Sequence, residues 1–197
     1  MHHTESRTLF TYWNSLRAGR PAPDRAEIEP REIASVLGDT FILERDPTGQ
    51  IFYRLAGSRI CQTFARDMKG ADFLAGLGAD DRRQVARTLS DAHAAQAGLL
   101  ISMSGATAEG RTVALEAVVL PLVHRARLGA RMIGCLSVAE QPYWMGRDQI
   151  VALSLGSARL LWPSWQPAPA IVPAIAPTTV VLDNRPALRL IQGGNAA

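Results

Sequence analysis

The stretch Arg111-Thr112-Val113-Ala114-Leu115-Glu116-Ala117-Val118-Val119-Leu120-Pro121 constrains the fold more than any other part of the chain. It is rich in β-branched and aliphatic residues, and Pro121 limits it at its far end. In a strand, Val113, Leu115, Ala117 and Val119 point to one side; Ala114, Glu116, Val118 and Leu120 point to the other. Both sets are apolar except for Glu116. This strand therefore belongs to a sheet covered on both faces, and one cover must accommodate a carboxylate.

With 197 residues, 47% of them hydrophobic, the chain has length and apolar content for one ordinary domain plus tails. No run reaches the roughly 18 uninterrupted apolar residues of a membrane span. Met1-His2-His3-Thr4-Glu5-Ser6-Arg7 lacks the apolar core of a signal peptide, so a cytoplasmic location with no membrane contact is expected. Cys61 and Cys135 suggest neither a disulfide framework nor a zinc pattern. The net charge of +3 comes from scattered arginines, with Lys69 the sole lysine, and nucleic-acid binding is disfavoured.

Along the chain, Leu9, Phe10, Trp13 and Leu16 mark an amphipathic helix over Thr4 to Arg17, stopped by Gly19 and Pro21. It packs on the core or, in the sharper reading, docks on a partner. Pro21, Pro23 and Pro30 stiffen an extended connector. A short helix through Ile33 and Leu37 follows. Phe41–Glu44 and Ile51–Leu55 read as a hairpin around the turn Asp46-Pro47-Thr48-Gly49. Gly57 to Phe64 reads as helical. A longer helix runs from Asp81 to about Ala97, with Asp80 as its N-cap and Val85, Leu89, Ala92 and Gln96 as its core face. Leu99–Met103, the opening stretch and Met132–Val138 are three more strands. Asp148 to Leu161 reads as a further helix closed by Pro163. Strands at both ends with helices between them predict an α+β domain with one antiparallel sheet. No phosphate-binding loop sequence is present. The resulting division is 1–38, helix and proline-rich lead-in; 39–139, the α+β domain; 140–163, with the further helix; and 164–197, a Pro/Ala-rich linker and tail expected to be extended and mobile.

Two strands, a helical middle and three strands is the order of the PAS fold. The wording of the chain resembles an alphaproteobacterial PAS-like family long listed as of unknown function. The residues that carry the resemblance are Leu9-Phe10, Tyr12-Trp13, Leu16-Arg17, Gly19-Arg20, Pro23, Arg25, Ile28 and Pro30, with Phe52, Arg54-Leu55-Ala56-Gly57-Ser58, Leu115-Glu116 and Leu120-Pro121-Leu122. Ala65-Arg66 departs from the pattern, which has a glycine after the phenylalanine. The resemblance implies a five-stranded antiparallel sheet. Helices would close a pocket on one face, and the N-terminal helix would lie on the other face or against a second copy. PAS modules sense small molecules, bind cofactors such as haem or flavin, or pair proteins.

On that footing Ile60, Phe64, Leu89, His93 and Leu115 are the pocket candidates. His93 lies at the border of the long helix's apolar face. By resemblance it is the one residue placed to ligate a haem iron; the plainer reading is a boundary histidine facing water. The surroundings of Cys61 do not resemble a flavin-adduct motif, so flavin is disfavoured, and both cysteines read as buried fillers. His124 reads as loop surface. Asp80-Asp81 reads as helix capping rather than acid–base chemistry, and no catalytic constellation or other metal site is legible. Arg54 and Glu116 are mid-strand charges expected on the side of the N-terminal helix. They would form a structural ion pair, lie solvated at an edge, or hold the Trp13 helix in a signal-responsive position. The expected function is a non-enzymatic sensory or interaction domain of bacterial signalling. A small-molecule ligand, an unidentified protein partner or a homodimer through the Trp13 helix would shift the flanking helix or the tail. The alternative is a small-molecule carrier or small enzyme using the pocket under the helices.

Overall fold

The computed structural model describes Met1 and residues 3–162. The expected linker and tail at 164–197 lie outside the described residues. The opening stretch becomes β4, Thr112–His124, in the interior of the sheet. It pairs antiparallel with β3, Gly98–Thr107, on one side and with β5, Arg127–Val138, on the other. The hairpin β1, Thr40–Arg45, and β2, Ile51–Ala56, joins through β1 to β5. A further strand, β6 at Ile150–Leu161, pairs with β3. The sheet has six strands in the order β2-β1-β5-β4-β3-β6. The α+β, PAS-like fold is as expected, with one strand more than the five implied.

That strand corrects the helix expected over 140–163. Leu153, Leu155, Ala158 and Leu160 are spaced by two, apart from a bulge between Leu155 and Ser157 that skips Gly156. Ser154, Gly156 and Ser157 are poor helix formers, and β3 offers an open edge; the pairing outweighs the scattered helical spacing.

The alternation in β4 divides the core as predicted. Leu115, Ala117 and Val119 join a cluster with Val85, Leu89 and Ala92 from α3, Ala79–Ala94. Val118, Leu120 and Leu122 join a second cluster with Leu9, Phe10 and Trp13 from α1, Thr4–Arg17. Each helix buries one stripe on its own face of the sheet. Gln96 is not part of the α3 stripe; it lies beyond the helix, exposed, with φ +55°. Asp80 is not the cap of α3 either. Gly78 holds that position, Asp80 pairs with Arg83, and the Asp81 carboxylate accepts the Leu155 amide of β6 at 2.9 Å. Asp81 thus satisfies an edge amide of the strand that the sequence did not reveal.

Pro121 stands inside β4, where a missing N–H would break a central ladder. It is tolerated because the β3 ladder reaches only to Val119. The Pro121 carbonyl accepts a hydrogen bond from Trp13 Nε1 at 2.8 Å. Two residues on, Val123 N donates to the Pro23 carbonyl at 2.9 Å. The N-terminal helix and the proline-rich connector therefore finish the edge that β3 leaves open.

Candidate functional site

The space between α3 and the sheet, where a ligand pocket was expected, is filled. Phe41, Tyr53 and Phe73 pack there with ring centroids 5.6–5.8 Å apart. Ile60, Phe64, Leu89 and Leu115 are buried in the same continuous cluster. The cleft beside Leu89 and His93 measures about 20 Å³. That is room for about one water and less than a tenth of the recess beside α1. His93 is exposed, and its ring lies flush against the β5 backbone at Gly129. The geometry leaves no room for a haem at His93. Cys61 is partly buried against this cluster, and His124 is the last residue of β4, paired with Arg127.

A larger opening lies elsewhere, where α1 meets the short helix α2, Ser58–Thr63, and the end of β5. It is a recess of about 240 Å³ lined by Glu5, Asp39, Arg59, Gln62, Thr63, Ser137, Val138, Gln141, Pro142 and Met145. Local chain geometry builds it. A 3-10 turn over Ala34–Asp39 delivers Asp39 immediately before β1. Gly57, the residue before α2, comes so close to Gly38 that a Cβ on it would lie 2.2 Å from the Gly38 carbonyl oxygen. Only glycine fits there. This contact sets α2 down on the turn and brings Arg59 over Gly38, with its Nε 2.7 Å from Asp39 Oδ1 and a second nitrogen on Oδ2. The pair is a bidentate fork, with Asp39 buried and the Arg59 side chain 46% exposed. Asp39, by its hydrogen bonds to Arg59, raises the guanidinium pKa further above its ordinary value.

A polar lane runs inward from the recess between α1 and the sheet. The hydroxyls of Ser6 and Ser137, both buried, share a hydrogen bond at 3.3 Å. Ser137 is also 3.8 Å from the Cys135 sulfur, whose thiol pKa burial pushes up to about 12. Ser137 faces Glu116 across the β4–β5 ladder. Glu116 is buried on the α1 face, as the PAS resemblance implied, and its Oε2 lies 3.9 Å from the Met1 amino nitrogen.

The PAS domain family model matches residues 1–137. The chain belongs to the PAS domain family. No curated protein matches it in sequence comparison. The matched span includes α1 and ends within β5, so the N-terminal helix is part of the matched PAS region and β6 lies beyond it.

Within this PAS domain the sequence-selected residues separate. Trp13 is fully buried and tethers α1 to β4. Arg54 does not approach Glu116. It falls at the irregularity where β2 carries an extra residue between Tyr53 and Leu55, is exposed, and lies 3.6 Å from Glu44. Arg131 approaches the same carboxylate at 3.3 Å. An ion pair exists at Arg54, but its partner is Glu44, as suits an exposed sheet edge. Sequence reading missed Glu5, Asp39, Arg59 and Ser137. Gly38-Asp39 and Gly57-Ser58-Arg59 carried the available signal, a glycine beside each member of the ion pair. No periodicity relates positions twenty residues apart, so the pairing itself was invisible.

Proposed function

We propose that this PAS domain is a non-enzymatic sensory or interaction module of bacterial cytoplasmic signalling, and that its output is a shift of α1 on the sheet. The observation that carries the reading is the composition of the recess. One wall is Glu5 of α1; the others come from the Asp39 turn, α2, β5 and the loop after it. An occupant would touch both α1 and its frame, and so favour one placement of the helix over another. Among the described residues the lining holds neither a histidine nor a cysteine, and the nearby Cys135 thiol stays protonated at neutral pH, which supports binding rather than catalysis. A protein partner or a second copy of the chain would act on the same helix through its solvent side, because Trp13 itself is engaged within the protomer.

Hydrogen exchange of residues 4–17, with native mass spectrometry of the same sample, tests this. A bound mass or a partner that changes protection of α1 is the expected result. Unchanged protection of α1 in every bound state would sink the reading. The recess also favours a second one, a small-molecule carrier. It predicts a retained ligand with no change in α1 protection.

A further inference from the structure

The charge balance of the recess selects a class of occupant. Among the described residues its charged side chains are Glu5, Asp39 and Arg59, a net charge of −1. Arg59 is largely engaged: Nε and one terminal nitrogen serve Asp39, that nitrogen also reaches the Ser35 carbonyl, and the guanidinium already feels Glu5 through space. Glu5 is half-buried in the wall and makes no hydrogen bond or ion pair among the described residues. An anion would meet Glu5 with the nearest guanidinium already neutralised by Asp39. A metal ion is disfavoured too, since no cluster of three or more His, Cys, Asp or Glu ligands occurs among the described residues.

A compact cation that brings its own N–H donors fits better. Its neighbours would be the Glu5 carboxylate, the Ser137 hydroxyl and the side-chain carbonyls of Gln62 and Gln141, all able to accept. Val138, Pro142 and Met145 supply an apolar wall for a short carbon chain. The volume of about 240 Å³ equals the share of about eight liquid waters. We propose that the recess binds a small primary ammonium compound with a short aliphatic chain, with Glu5 as its counter-ion. The proposal deepens the signalling reading above and rests on it for the consequence of binding. The occupant bridges Glu5 on α1 to α2 and β5, so it draws the first turn of the helix toward the frame.

The test is calorimetric titration of the whole chain with n-butylamine, against n-butanol and butyrate as isosteres without the positive charge. Saturable binding of the amine is expected, about tenfold or more tighter than either isostere. Glu5→Gln, half-buried in the first turn of α1, should weaken the amine by about tenfold while lowering the melting temperature only slightly, by the loss of one charge at the helix N-terminus. Gln141→Trp, at an exposed wall position, should block the amine with Glu5 intact. Equal binding of butanol, unaltered affinity in Glu5→Gln, or no saturable binding of the amine overturns the proposal. Hydrogen exchange on the amine complex separates the two claims. Amine binding with unchanged α1 protection keeps the site and removes the signalling consequence. No amine binding, with α1 protection altered by a protein partner, removes the site and keeps the signalling reading.

Discussion

The two faces of the sheet are built from the same alternating strands, yet they differ in kind. The α3 face is closed by aromatic rings and aliphatic side chains; the cleft beside His93 has room for about one water, and the wider opening on this side, about 560 Å³, is an open polar groove between α3 and the β1–β2 hairpin, outside the packed core. The α1 face is equally buried around Trp13 but carries Ser6, Glu116, Ser137 and Cys135 between helix and sheet, and it opens into the recess at one end. A dry, filled interface has one good packing and resists displacement. An interface with polar groups and an adjoining cavity has more than one way to satisfy them, which suits the responsive role proposed for α1. On the proposed reading, the responsive volume lies beside α1 rather than in the core under the middle helices.

The contrast is sharpest where volume alone matters. Phe41→Ala on the α3 face should cost about 3–5 kcal/mol, since the ring contacts Tyr53 and Phe73 and nothing polar can replace it. Urea unfolding would show it. A loss under 1 kcal/mol would mean that the face can collapse and is not rigidly packed.

On the α1 face, Trp13→Phe keeps most of the apolar bulk and orphans the Pro121 carbonyl. A loss of about 1–3 kcal/mol is expected by the same measurement, with faster hydrogen exchange in α1. A neutral effect would show that water replaces the indole, and that α1 is held by area alone.

The buried thiol gives the α1 face a pH signature. Burial holds the Cys135 pKa near 12 in the fold, above its ordinary 9. Its contribution is complete below pH 9 and is lost as pH rises from 9 toward 12, because the unfolded chain ionises first. Between pH 8 and 10 the wild type should lose about 1 kcal/mol more than Cys135→Ala in paired denaturation curves. Parallel curves would place the thiol in contact with water and the lane in an open state.

The exposed rim should respond least. Asp39→Asn breaks the fork to Arg59, but solvent screening of the half-exposed arginine limits the loss to about 1 kcal/mol, and less in high salt. Ala65→Gly should raise stability by about 0.5 kcal/mol, since Ala65 sits at φ +49° where an L residue is strained. This is the position where the resemblance implied a glycine. A melting temperature lower than wild type would show that the turn gains more from the methyl group than it loses in strain.

Much of the fold was legible in local pattern. The spacing of Leu9, Phe10 and Trp13 located α1 from Thr4 to Arg17, and the β-branched runs located β1, β2 and the cores of β3, β4 and β5. The parity of Glu116 set it on the face opposite Leu115, and the PAS resemblance assigned that face to the N-terminal helix. Ile150–Leu161 was misread because its apolar residues are compatible with both periods, and only the vacant edge of β3 decided between them. Of the pocket candidates, Ile60, Phe64, Leu89 and Leu115 are core residues, which the same apolar pattern marks equally well, and His93 is exposed.

In α1 and β4 the sequence by itself determined which side chains are buried and on which face, because alternation in a strand and the stripe of a helix are local properties of the backbone. It also marked the family, through short strings that stay contiguous in the chain. Tertiary structure alone decided where the open volume lies. Asp39 and Arg59 meet only after Gly57 has closed on Gly38, and Glu5 and Ser137 meet at the recess only after α1 has crossed β5. A cavity is the space left between elements once they pack. No single element's residues encode it.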